Sequence, residues 1–220
     1  MKRSDTTSSA RRTASAKANT RVVAPDERYD ANIEHILRAA AVVFAGKSFG
    51  IASIRDIAAQ ARISFPRIYY YLRNKEELLY LISKRAFERL IETAQARAAS
   101  ANDAEEGLRL FIEGHIEYHI NNLSEMKVLA READSLSGRY AAHIARLRSE
   151  YSRLGRKFVE RVAEKYGRTL DREDSRIATS LMFGAMNWLY TWYEPPRDYE
   201  QRRRIMDEIH RMVSAALTPR

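Results

Sequence analysis

His115 and His119 stand one helical turn apart, a spacing at which two imidazoles can share a metal ion. Glu117 follows His115 by two residues instead of one, so the His-Glu-x-x-His arrangement of a zinc hydrolase is missing. On a helix its carboxylate points away from both rings, and no third ligand is identifiable. The pair reads better as two polar rings facing a pocket beside Phe111 and Tyr118. No nucleophile–base pair and no phosphate-cradling glycine loop accompany them, so neither an enzyme nor a cofactor is expected. A second group is cationic. Between Arg139 and Arg168 stand nine Lys or Arg against three Glu, with Arg139, Arg146 and Arg153 recurring every seven residues along one helix side. Such a row can hold phosphates, or it can be a solvated face. The third group lies in SFPRIYYYLRNKEELL, residues 64–79, where Arg67, Tyr69, Tyr70 and Tyr71 precede Lys75. Guanidinium, phenol and ammonium groups so placed suit phosphate oxygens and base edges.

The chain that positions these groups has 220 residues, enough for one compact core or a small domain joined to a larger one. It is 45% hydrophobic and 30% charged, and no stretch nears the ~20 apolar residues of a membrane span. Lack of cysteine excludes disulfides and thiolate metal sites. No apolar signal segment opens the chain, so a cytoplasmic protein without membrane contact is expected. The net charge of +9 fits a polyanionic partner. Residues 1–24 carry six Lys or Arg against Asp5, a net +5 that leaves +4 for the rest. With little to bury, residues 1–28 are expected to be a disordered basic tail.

From Tyr29 onward the hydrophobic pattern is helical, and an all-α fold of about nine helices is expected. Ile33, Ile36, Leu37, Ala40 and Phe44 share one helix face. Ser53 and Asp56 are spaced as a capping pair before IRDIAAQA, whose Ile54, Ile57, Ala58 and Ala61 share a face. After a turn at Arg62 and Ile63, Ser64 opens a second short helix with Pro66 in its first turn. Two short helices joined so tightly read as a helix-turn-helix. On the second, Ile68 and Leu72 face inward, while Pro66, Arg67, Tyr69 and Tyr70 occupy the outward half and Tyr71 its boundary. Longer helices are expected over 74–99, 102–122, 137–166, 171–193 and 199–217, with a short one over 124–133.

In these residues the chain resembles the tetracycline-repressor (TetR/AcrR) family of transcription regulators. The resemblance covers about residues 30–80: Ile36-Leu37-Ala40-Phe44, Ser53-Ile54-Arg55-Asp56-Ile57-Ala58, Ala61-Arg62-Ile63-Ser64, Ile68-Tyr69-Tyr70-Tyr71-Leu72 and Lys75-Glu76-Glu77-Leu78. It implies an all-helical homodimer with a DNA-binding head over 29–78 and a ligand-binding and dimerisation body over 79–220. It further implies a palindromic double-stranded DNA operator, backbone contacts from Ser53, Tyr69 and Lys75, and base or groove contacts from Arg55, Pro66, Arg67, Tyr70 and Tyr71. The family often has glycine where Ser48 and Arg62 stand, both places that favour positive φ.

In the body, LMFGAMNWLYTWYEPP, residues 181–196, repeats Leu181, Ala185, Trp188 and Trp192 at helical spacing. With Ile205, Ile209, Met212 and Val213 on the last helix, Leu181, Ala185 and Trp192 are expected to form the dimer seam. Met182, Met186 and Trp188 remain candidates for the pocket of Phe111, His115 and Tyr118. The run Asn187-Trp188, Trp192-Tyr193 before a proline is similar to the branch of the family that senses acyl-CoA thioesters. That resemblance implies an acyl-CoA effector with its phosphates on the side of Arg146 and Arg153. A regulator of apolar drugs and a non-specific architectural DNA-binding protein are the alternatives.

Overall fold

The structure, a computed structural model, describes residues 25–192 and 199–218. Most of the expected basic tail lies outside them. Its last four residues do not: α1 spans Pro25–Lys47, opening on a proline whose missing N–H is no loss at a helix start. The expected stripe is what α1 buries, with Ile36, Leu37, Ala40 and Phe44 in the core and Ile33 half-buried.

Two short helices follow, α2 (Ile54–Ala61) and α3 (Phe65–Tyr71). Ser53 and Asp56 form the predicted capping box, and Lys47 Nζ lies 2.6 Å from Asp56. The Lys47 ammonium and the Ser53 hydroxyl hold the Asp56 carboxyl well below the usual carboxylate range. Ser48 and Arg62 take φ of 65° and 53°, the left-handed conformation that the resemblance led one to expect at both. At Arg62 this closes α2, because the Arg62 and Ile63 amides can then return to the carbonyls of Ala59 and Ala58. His35 Nε2 meets Ala61 O at 2.8 Å and ties the end of α2 to α1.

Helix α4 (Lys75–Ser100), capped by Asn74 as predicted, is followed by α5 (Ala104–Asn121) and α6 (Leu123–Arg131). A 3₁₀ turn over Ala133–Ser135 leads to α7 (Gly138–Lys165). Then come α8 (Arg172–Asn187), α9 (Leu189–Trp192) and α10 (Tyr199–Leu217). The expected single helix over 171–193 is thus broken at Trp188. There the Thr191 amide and hydroxyl both donate to Trp188 O, the hydroxyl at 2.7 Å, and tighten the turn. Helix α4 packs on α1, α5, α6 and α7, and the buried side chains of all of them belong to one core. Among the described residues no strand forms, and no helix is long and apolar enough to cross a membrane.

Candidate nucleic-acid interface and ligand cavity

Helix α3 is anchored by Ile68 and Leu72, 0% and 3% exposed, and this turns the opposite face outward. Tyr69 and Tyr70 are 50% and 75% exposed, and Pro66, Arg67, Ser53 and Arg55 are also exposed. Ser64 stands at the cap position of α3 but makes no side-chain cap hydrogen bond. The aromatic rings brace one another: Tyr70 sits edge-on to Tyr71 at 5.1 Å, Tyr71 lies 5.2 Å from Tyr29, and Phe65 meets Tyr69 at 5.3 Å. The Arg55 guanidinium lies over Phe65. Two faces, apolar inside and cationic-phenolic outside, therefore share a seven-residue helix.

Lys75, for which the resemblance implies a DNA-backbone contact, is engaged within the chain. Its ammonium donates to Phe49 O at 2.7 Å and Ala52 O at 2.9 Å, and sits above the Phe49 ring. It clamps the loop before α2 to the start of α4. Lys75→Ala is therefore expected to lower stability by about 1–2 kcal/mol, read by denaturant unfolding. An unchanged unfolding midpoint would show the clamp to be idle.

In the body, a cavity of about 560 Å³ opens between α4, α5, α6, α7 and α8. Phe87, Leu90, Met126, Leu129 and Phe183 give it apolar walls, Trp188 stands at its edge, and His115, Tyr151, Asn187 and Arg148 add polar groups. Of the eight residues proposed from sequence for ligand binding, His115 and Trp188 line it. The other six do not. Phe111 is buried against Tyr151, Phe158 and Phe183, one layer behind the wall. Met186 is packed in the core, and Met182 lines a different groove. Tyr118 turns toward α6 and donates to Glu125 at 2.7 Å. Arg146 and Arg153 are exposed, roughly 150–170° around α7 from the face of Arg148, Tyr151 and Ser152 that lines the cavity. Arg148 is the cation the sequence reading missed; counting round the helix from Tyr151 would have found it.

Among the described residues no cluster of three His, Asp or Glu could hold an ion. His115 is 2% exposed and its Nδ1 lies 3.0 Å from the Tyr151 hydroxyl. Burial, reinforced by His119 and opposed by Asn187, lowers its pKa from 6.5 to about 3. Burial lowers that of His119 to about 4. Burial also pushes the Tyr151 phenol up, so it stays protonated. These shifts make stability depend on pH with a definite sign. Unfolded histidines take up protons near pH 6.5, whereas the folded rings do so only near 3 and 4. Stability is full above about pH 6.5 and falls as the pH drops toward 4, with a slope for His115 of up to about 1.4 kcal/mol per pH unit. Thermal melts from pH 7.5 to 4.5 should show that decline, and His115→Leu should make it shallower, leaving the part due to His119. A flat wild-type profile would mean the folded rings take up protons as readily as the unfolded ones.

A second groove, about 460 Å³, runs between α8 and α10. Ile177, Leu181, Ala185, Ile209, Met212 and Val213 line it, with Leu181 69% and Met212 61% exposed. Ile205 is half-buried beside them, and the side chain of Trp192 lies outside the described residues. The seam expected from sequence is thus largely one contiguous apolar surface.

Cavity and head are physically linked. Just after α6, which supplies Met126 and Leu129 to the cavity wall, Glu132 is 8% exposed. Its carboxylate accepts from the Phe49 amide and the Ser135 hydroxyl, both at 3.1 Å. Phe49 O in turn holds Lys75. No periodicity or motif marks Glu132, because its partner is 83 residues away.

Comparison with known proteins gives two family matches. The family described as bacterial regulatory proteins, tetR family, matches residues 36–80. The tetracyclin repressor-like C-terminal domain matches residues 101–217. No curated protein matches the chain. Among solved structures, the TetR family transcriptional regulator PfmR from Thermus thermophilus is 28% identical, covering 86% of this chain and 97% of its own, with a TM-score of 0.69. A TetR-family regulator from Bordetella parapertussis is 20% identical over 82% of this chain and 93% of its own, with a TM-score of 0.77. AibR, solved in complex with isovaleryl coenzyme A and operator DNA, is 22% identical over 82% of this chain and 97% of its own, with a TM-score of 0.70.

Proposed function

Since the chain belongs to the tetR family of bacterial regulatory proteins and so is a transcriptional regulator rather than an enzyme, we propose that it is a ligand-responsive repressor in the cytoplasm. In this reading it binds a palindromic operator as a homodimer and leaves it when a small molecule enters the cavity. Residues 29–78 act as the head and 79–220 as the body. The observation that carries the reading is α3, which buries Ile68 and Leu72 while offering Arg67, Tyr69 and Tyr70 outward. Ser53 and Arg55 at the start of α2, with Pro66 and Tyr71 on α3, complete the contact surface. Lys75 supports it from behind. The α8–α10 groove pairs with its copy and places two heads on successive major grooves, about 34 Å apart. Enriching bound sequences from a random DNA pool tests this. An inverted repeat with half-sites one turn apart is expected, and recovery of unselected sequence would leave only a non-specific DNA-binding protein.

For the effector we propose an acyl-CoA thioester, its acyl group in the cavity and its anionic part toward Arg148. The cavity's apolar walls and that rim cation support this, as does the solved pairing of the same fold with isovaleryl coenzyme A in AibR. Arg146 and Arg153, on the far side of α7, no longer belong to the proposal. Entry of the ligand pushes on α6 and, through Glu132, on the loop that carries Phe49. Glu132→Ala is then expected to keep thioester affinity within about threefold while removing most of the ligand's effect on DNA binding. Full retention of that effect in anisotropy titrations would place the link elsewhere.

A further inference from the structure

The hydrogen-bond inventory at the base of the cavity is incomplete. Tyr151 is 4% exposed, and its hydroxyl meets His115 Nδ1 at 3.0 Å. A phenol has one proton to give, and given to Nδ1 it fixes Nδ1 as acceptor. In a neutral imidazole Nε2 then carries the hydrogen. That Nε2 is buried and makes no hydrogen bond within the chain. Asn187, beside the ring in the cavity wall, favours its charged form without completing a bond to Nε2. A buried donor left unmatched is costly, and such groups in folded proteins nearly always have a partner.

Resting on the reading of this cavity as the effector site, we infer that its occupant presents a neutral carbonyl-class acceptor to His115 Nε2–H, with its apolar part against Phe87, Leu90 and Met126. The ring is held neutral by burial, so a carboxylate at the same point would be a buried anion facing an uncharged donor. The cation lining this cavity, Arg148, is exposed on α7. It suits an anionic group carried outside the apolar part. Esters, thioesters, ketones and amides fit these conditions; free fatty acids and amines do not.

Calorimetry on the full chain tests the inference with four probes of one chain length: the octanoyl thioester of N-acetylcysteamine, methyl octanoate, octanoate and octylamine. Wild type is expected to bind the thioester and the ester about tenfold or more tighter than the acid and the amine. His115→Leu should bring all four within about threefold, and His115→Gln, which keeps an N–H, should retain most of the preference. Tyr151→Phe, which frees the tautomer without emptying the site, should lose part of it. An unchanged preference in His115→Leu, or octanoate binding tightest, would overturn the inference alone. No binding of any probe to wild type would overturn the effector-cavity reading along with it.

Discussion

Leu181→Arg should sediment as a folded monomer and bind operator about 10²–10⁴-fold more weakly than the wild type. The size of the effect comes from geometry. Two heads held on one body meet the second half-site at high effective concentration, and a monomer loses that advantage without losing any contact to the first half-site. The substitution is clean because Leu181 is 69% exposed in the single chain, so a guanidinium there reaches water until a second copy covers it. In the α8–α10 groove of a dimer the same charge would be buried without a partner, which is strongly unfavourable. Ile209→Arg is the harsher companion, since Ile209 is half-buried and its replacement also disturbs the contact of α10 with α8. Leu181→Arg that remains dimeric would move the interface away from this face.

Arg67→Ala and Tyr70→Ala should each cost ~1–3 kcal/mol of discrimination between operator and random DNA, with folding stability nearly unchanged. Both side chains are exposed, and Tyr70 loses only edge contacts with Tyr71 and Tyr29. A residue that only touches phosphate would lower affinity for both DNAs alike. Equal losses on the two DNAs would therefore remove that residue from sequence reading and leave it a positioning role.

Local rules made the head legible before any coordinates. The Ser53–Asp56 box, the Asn74 cap and the inward Ile68 and Leu72 all depend on residues within a few positions of one another, whereas the left-handed Ser48 and Arg62 were expected from the family resemblance. The cavity was less legible because its walls come from five helices distant in sequence. Methionines at core spacing, Met182 and Met186, look the same in sequence whether they pack or line a pocket. A row of arginines announces charge but not which side of α7 lines the cavity, and here the face of Arg148 does. Lys75 shows the same limit at short range. Its type and place suit phosphate, yet the loop carbonyls of Phe49 and Ala52 hold its ammonium.

The most direct test combines both ligands in one titration. Full-length protein would be titrated by fluorescence anisotropy onto its selected inverted repeat and onto a scrambled duplex, with and without saturating octanoyl-CoA. The account predicts preferential binding to the repeat, weakened about 5–150-fold by the thioester, with the repeat weakening thioester affinity by the same factor in calorimetry. Equal affinity for the two duplexes, or a thioester that binds and leaves operator affinity unchanged, would contradict it.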